Sequence, residues 1–158
     1  MTLIPVAADW DTAVTKVKCV NSEDGANLVN ERPEKYQFTG LGRLRVQECE
    51  RVVALRTELT KCGAKVVEEG DTLTVYPSPL HGAEIETYND HRMAMCFAIL
   101  GLKVPGIRLK NSACVKKTFP NFFQKLAAQP PHGLGAEIWE VKIGQRTRKL
   151  SGEDLFAD

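Results

Sequence analysis

Apolar positions along the chain follow two rhythms, and the switches between them mark the elements. From Tyr36 the run YQFTGL alternates as a half-buried strand does, with Gly40 or Gly42 to end it. Val52, Leu55, Leu59 and Cys62 then recur at steps of three and four, which predicts a helix from about Gln47 to Cys62, with Gly63 as its stop. AKVVEE and TLTVYP are β-rich runs joined by Gly70 and Asp71. They read as a hairpin whose second strand ends at Pro77 and Pro79. AEIETY gives a further strand. Asn89 or Asp90 is placed to cap a second helix carrying Met93, Ala94, Phe97, Ala98 and Leu100, with Gly101 near its end. VPGIRLK reads as a strand after a turn at Pro105 and Gly106. A third helix is expected near Thr118, with Thr118 as cap, Pro120 in the first turn and Phe119, Phe122, Phe123 and Leu126 as its apolar side.

The ends are less regular. TLIPVA and TKVKCV read as short strands, and NSEDGANLVNERPEK as a polar loop broken by Gly25 and Pro33. AAQPPHGLG is a breaker cluster, AEIWEVKI a last strand, and QRTRKLSGEDLFAD a charged tail expected to be loose. From Tyr36 the order is β-α-β-β-β-α-β-α. Helices alternating with strands imply an α/β (mixed α+β) fold with helices packed on a mixed sheet. The chain divides into an N-terminal segment 1–35, a patterned core 36–128 and a linker with tail 129–158.

Composition narrows the function. In 158 residues, 43% are hydrophobic and 26% charged, which is globular and enough for one domain with a core. Lys and Arg number 21 against 20 Asp and Glu, so the basic excess of a nucleic-acid binder is missing. No apolar run reaches the length of a membrane span, and MTLIPVAADWDT has no secretory-signal pattern. Five cysteines without CxxC spacing and three scattered histidines make no zinc pattern. The expectation is a cytoplasmic protein with reduced cysteines packed as small hydrophobes, and no metal, nucleic acid or membrane.

Charge is concentrated where three helices are expected to begin. The first start carries Arg45, Glu48 and Arg51, the second Asp90, His91 and Arg92, and the third Lys116 and Lys117. Cations are electrostatically misplaced at the positive end of a helix dipole. Unpaired N–H groups combined with Arg or Lys make an anion site. Singly, each group has a plainer reading as an exposed ion pair, a cap or a surface charge. Their collection at successive helix starts favours a bound anion, which puts Arg45, His91 and Asp90 among the candidate substrate-binding residues.

These segments resemble a known family. TYNDHRMAMCFAILGL is similar to the Asp-His-Arg-Met-Ala-Met signature of 5-enolpyruvylshikimate-3-phosphate synthases. RVQECERVVALRTELTKCGAKVVEEGDTLTV resembles that family's Arg-Val-Lys-Glu-x-x-Arg helix and hairpin, and ACVKKTFPNFFQKL its Lys-Thr-Phe-Pro segment. The resemblance runs in order from about Phe38 to Ala127. It implies a fold of β-α-β-α-β-β units and substrates in a cleft between two domains. It also implies enolpyruvyl transfer from phosphoenolpyruvate to shikimate 3-phosphate without metal or organic cofactor. By the same resemblance Glu48 moves the proton at the enolpyruvyl methylene, Arg51 and Arg92 hold the phosphoenolpyruvate carboxylate, and Lys117 serves the phosphate and transferred group.

The departures carry consequences. Gln47 stands where the family has a phosphate-binding lysine, and Arg43 where it has an asparagine. The family's catalytic aspartate and its other domain have no counterpart, and Asp9 and Asp11 match too loosely. The chain is therefore expected not to turn over alone. It is expected to work as a homo-oligomer or with a complementing domain, or else to be a non-catalytic module with a residual anion pocket.

Overall fold

The computed structural model describes residues 16–20, 34–143 and 145–157. The strand read in TLIPVA and most of the polar loop after Val20 lie outside the described residues. Four strands, β1 (Lys16–Val20), β2 (Lys35–Thr39), β3 (Lys65–Glu69) and β4 (Thr72–Tyr76), form an antiparallel sheet in the order β1-β2-β4-β3. The β3–β4 hairpin turns at Gly70 and Asp71 as its sequence implies, with Gly70 in the left-handed region at φ 55°.

Between β2 and β3 the chain makes a 3-10 segment, Leu41–Val46, and then helix α1, Arg51–Lys61. The helix starts later than Gln47 because Glu50 caps it, its carboxylate accepting the Val53 N–H at 2.8 Å. Its end is where the glycine places it. Gly63 takes φ 88°, and the Ala64 N–H donates back to the Leu59 carbonyl at 3.0 Å. One side of α1 lays Val52 and Leu55 against Phe38, Leu73 and Val75 of the sheet. The other side brings Ala54, Leu59 and Cys62 to Ile85, Met93 and Phe97.

Strands β5 (Glu84–Ile85) and β6 (Arg108–Leu109) pair in parallel, and helix α2 (His91–Gly101) crosses between them. Both strands are shorter than AEIETY and VPGIRLK suggest. The fold is mixed α/β as expected, with its strands shared among three sheets. The largest sheet and the β7 (Trp139–Lys142)–β8 (Gln145–Lys149) hairpin are antiparallel, and the central pair is parallel.

The third helix differs from its sequence reading. Ser112–Lys117 is a 3-10 segment whose end is closed by Thr118, the Thr118 N–H donating to Val115. Helix α3 spans Phe122–Ala127, with Asn121 at its start. Lys116 and Lys117 therefore finish a short turn rather than open a helix, and Phe119 stays exposed while Phe122, Phe123 and Leu126 are buried. The tail also differs. Leu155 and Ala157 are buried against α2 and α3, and the Ala157 N–H donates to the Pro120 carbonyl at 3.0 Å. Two apolar residues in a charged stretch carry no periodicity, so only the surface they meet could announce them.

The leads into β5 and β6 touch at two glycines. A Cβ on Gly82 would stand 2.4 Å from the Gly106 carbonyl carbon and 2.5 Å from the Pro105 oxygen, all backbone. Gly82→Ala is expected to destabilise the fold by ~1–3 kcal/mol, as overpacking does, measured as a lowered denaturation midpoint. Gly70→Ala meets no atom within 4 Å and costs only the strain of its positive φ.

Candidate functional site

Two helix starts meet in one ion pair. Asp90 precedes α2 in extended conformation and caps it, Oδ1 accepting the Arg92 N–H at 2.8 Å. Its other oxygen accepts the Nε–H of Arg51, the first residue of α1, at 2.7 Å. Asp90 is 0% exposed and Arg51 3%. Arg51 Nη2 donates to Glu48 Oε2 at 2.5 Å, and Arg92 Nη1 lies 3.6 Å from the same oxygen. Glu48 thus bridges two guanidinium groups, with its side chain one-third exposed. Arg51 Nη1 and His91 Nδ1 are buried without hydrogen-bond partners. Such atoms are costly unless a ligand or water satisfies them.

The environment sets the protonation states. Burial pushes Asp90 upward, but the hydrogen bond and charge of Arg51, with the Arg92 N–H, hold it below the usual 3.8. Glu48 is held below 4.5 by its own backbone N–H, against some burial, and then by Arg51. Burial and the neighbouring Arg92 keep His91 below 6.5, so its imidazole is neutral at pH 7. The Cys49 thiol donates to Asp90 Oδ2 at 3.4 Å. Burial and the Asp90 charge push it up to about 12, so it stays protonated.

The loop before Asp90 emerges at the C-terminal ends of the parallel strands, where open α/β sheets place ligands. Tyr88 and Asn89 have φ 55° and 53°, and the Asp90 N–H donates to the Thr87 carbonyl at 2.9 Å. Non-glycine residues in this region carry strain that the surroundings must sustain. Thr87 Oγ1 donates to the Lys110 carbonyl at 2.9 Å, and Asn111 Nδ2 to Asn89 Oδ1 at 3.1 Å.

Of the residues singled out in the sequence, Glu48, Arg51, Asp90, His91 and Arg92 are brought together. Arg45 is not. It pairs with Glu50 at 3.0 Å, Glu68 at 2.8 Å and Asp71 at 3.1 Å, and donates to the Gly70 carbonyl. Arg45 and Glu48 are three residues apart, but the non-helical backbone at Gln47, with φ −100° and ψ −147°, keeps them from sharing a helix face. Glu48 likewise precedes α1 rather than lying on it. Lys117 is exposed at the end of the 112–117 segment and is not joined to the cluster by an ion pair. Gln47 and Arg43 are exposed.

The sequence reading missed Cys49, Glu58 and Tyr88. The available signal was Glu58, seven residues after Arg51 on the apolar face of α1. Among the described residues, no group of three or more His, Cys, Asp or Glu is placed to hold a metal ion, and no helix is long and apolar enough to cross a membrane. Cys49, Cys62, Cys96 and Cys114 are free thiols. A separate cavity of about 430 Å³ lies between α2, α3 and the tail, lined by Leu102, Ile107, Leu126, Ile138 and Leu155, and none of the cluster lines it.

A helix crossing between two parallel strands, with a buried Arg–Asp pair at their C-terminal ends, makes this part of the chain a crossover α/β unit. The chain belongs to the EPSP synthase (3-phosphoshikimate 1-carboxyvinyltransferase) family, whose sequence profile matches residues 33–126. The 3-phosphoshikimate 1-carboxyvinyltransferase of Nostoc punctiforme is 51% identical over 82 residues, covering 52% of this chain and 19% of that protein. That of Rhizobium etli is 48% identical over 105 residues, covering 63% and 24%. The solved structure of EPSP synthase from Acinetobacter baumannii superposes with a TM-score of 0.52 at 32% identity, over 58% of this chain and 23% of that one. The chain thus spans about a fifth to a quarter of the length of these relatives.

Removing Asp90 leaves the Arg51 charge buried and unpaired. Asp90→Ala is expected to cost ~3–5 kcal/mol near neutral pH by chemical denaturation. Because the folded pKa of Asp90 lies below 3.8, its contribution is complete above that value and is lost as pH falls through the folded pKa. The gap between parent and variant is therefore expected to narrow in acid.

Proposed function

We propose that this chain supplies the phosphoenolpyruvate-binding and acid–base side of enolpyruvyl transfer to shikimate 3-phosphate, a step of aromatic amino-acid biosynthesis, in the cytoplasm. The observation that carries this reading is Glu48 bridging Arg51 and Arg92, beside an unpartnered Arg51 Nη1. Two guanidinium groups sharing one carboxylate are arranged to accept another, since the planar fork suits carboxylate geometry. When a ligand carboxylate takes those donors, Glu48 is displaced towards solvent and becomes a mobile carboxylic acid and base.

The chemistry follows. Glu48, protonated once it has left the two guanidinium groups, passes a proton to the phosphoenolpyruvate methylene carbon while the acceptor hydroxyl oxygen bonds to the adjacent carbon and its own proton passes to the phosphate group, which carries it away on leaving. In the second step Glu48 takes a proton back from the new methyl group. The C–O bond to phosphate breaks, the double bond reforms and phosphate leaves. Arg51 and Arg92 hold the carboxylate through both steps, and Lys117 is assigned to the leaving phosphate. Neutral His91 stands beside this site as a buried hydrogen-bonding group.

Matching about a fifth of the relatives' length, this chain works with a complementing domain or a second copy in this reading. Exposed Gln47 and Arg43, in place of the family's lysine and asparagine, favour a second reading in which the anion site is kept without turnover.

Calorimetric titration separates these readings. Phosphoenolpyruvate is expected to bind the isolated chain, and Arg92→Ala to weaken it about tenfold, the loss of one charge-assisted contact. Absence of binding overturns the proposal. Phosphate release is expected only when the remaining part of a family enzyme is supplied, and to vanish in Glu48→Gln. No release under that complementation leaves the anion-binding reading.

A further inference from the structure

A second carboxylate on α1 is as buried as Asp90 and has no part in the chemistry above. Glu58 is 0% exposed. Its Oε1 accepts the Tyr88 hydroxyl at 2.8 Å, and its Oε2 accepts the Glu86 backbone N–H at 3.1 Å. Lys61 Nζ reaches both oxygens, at 2.9 and 2.8 Å, from the solvent side. Every strong acceptor direction of the group is used, which is what keeps a carboxylate in an apolar interior.

Glu58 follows Arg51 by seven residues, two turns along the same face and about 10 Å up the helix. Helix α1 therefore grips one loop at two points. Arg51 takes Asp90 at the loop's end, and Glu58 takes Glu86 and Tyr88 at its beginning. Tyr88, held through its side chain, and Asn89 after it both have backbones in the left-handed region between Glu86 and Asp90. A strained pair of residues relaxes unless both ends are fixed. Relaxation there would move Asp90, and with it the Nε hydrogen bond that orients Arg51.

We propose that Glu58 and Tyr88 are positioning residues of the anion site, a clamp that holds the 86–90 loop so that Asp90 fixes the Arg51 guanidinium. Neither touches the reacting atoms. The inference rests on the anion-binding reading above, but its structural half can be read without a ligand.

The test uses the full chain, the Arg51 Nε–Hε NMR resonance and calorimetric titration with phosphoenolpyruvate. Tyr88→Phe deletes only the hydroxyl of a residue that is 38% exposed. It is expected to shift the Arg51 resonance and weaken binding about tenfold, the scale of one hydrogen bond to a charged group, at an unchanged melting temperature. Glu58→Gln is expected to do the same more strongly, and to lower part of the way towards its ordinary 10 the Tyr88 hydroxyl that burial first, and then Glu58, push up to about 12, read in an absorbance titration. Thr60→Ala, on the exposed side of α1, is the silent control.

An unmoved Arg51 resonance overturns the clamp, whatever happens to the melting temperature. A moved resonance with unchanged binding overturns its role in the site. If the parent chain binds no phosphoenolpyruvate, the functional reading fails, and the clamp is judged on the resonance alone. Should Tyr88→Phe fail to fold, Glu58→Gln is read by the same criteria.

Discussion

The buried Arg51–Asp90 ion pair ties the start of α1 to the start of α2. Two opposite charges with almost no exposure repay their desolvation only when geometry is good and their other hydrogen-bonding capacity is used. Asp90 meets that condition with the Arg92 N–H and the Cys49 thiol. Arg51 meets it only in part, through Nε and Nη2, and leaves Nη1 without a partner. Helix α1 belongs through Val52 to the core under the antiparallel sheet, and through Leu59 to the core around the parallel pair. A shift in one helix start is therefore felt in both cores.

The same economy explains how cations are tolerated at positive helix ends. Arg51 opens α1, but Glu48, Glu50 and Asp90 surround that start with carboxylates. Arg92 sits in the first turn of α2 directly after the acid that caps it. Taken together, Arg51 and Arg92 are balanced by Glu48 and Asp90. What distinguishes the site is the arrangement of that neutrality: one carboxylate, Glu48, is partly exposed and can give way, while the other, Asp90, is buried and cannot. On the proposed reading, an anion entering here would exchange with the exposed Glu48 and leave Asp90 in place. Preorganisation of this kind needs no large movement when the ligand arrives.

Much of this was legible from residue order. The alternation in YQFTGL, the Gly-Asp hairpin, the glycine stop after Cys62 and the Asp90 cap are local signals, and local geometry realises them. The family resemblance was legible too, because its three motifs keep register. The failures are those of position along a continuous pattern. Gln47 and Glu48 extend the helical spacing in sequence, yet Glu50 takes the cap and the turn before it sends Arg45 to the hairpin instead. Thr118 looks like a cap, but the 3-10 segment ahead of it uses its N–H. Glu58 was overlooked for a different reason. A charged residue on an apolar face reads as an interruption unless its partners are known, and Tyr88 and Glu86 lie about thirty residues away.

The tail covers apolar surface on α2 and α3. The family match ends at residue 126, and the apolar sides of α2 and α3 run up to that boundary. Uncovered, such a face would drive association. Here Leu155 and Ala157 bury themselves on it, with Ala136, Ile138 and Leu150 packed around them. Much of that face is thus satisfied within the chain, which weakens it as a place for a second copy to bind. The cluster of Glu48, Arg51 and Arg92 is different. It carries one more positive than negative charge, Glu48 is open to solvent, and Arg51 Nη1 still lacks a partner. A complementing domain would gain most by closing over that mouth, where excluding water strengthens each remaining electrostatic contact.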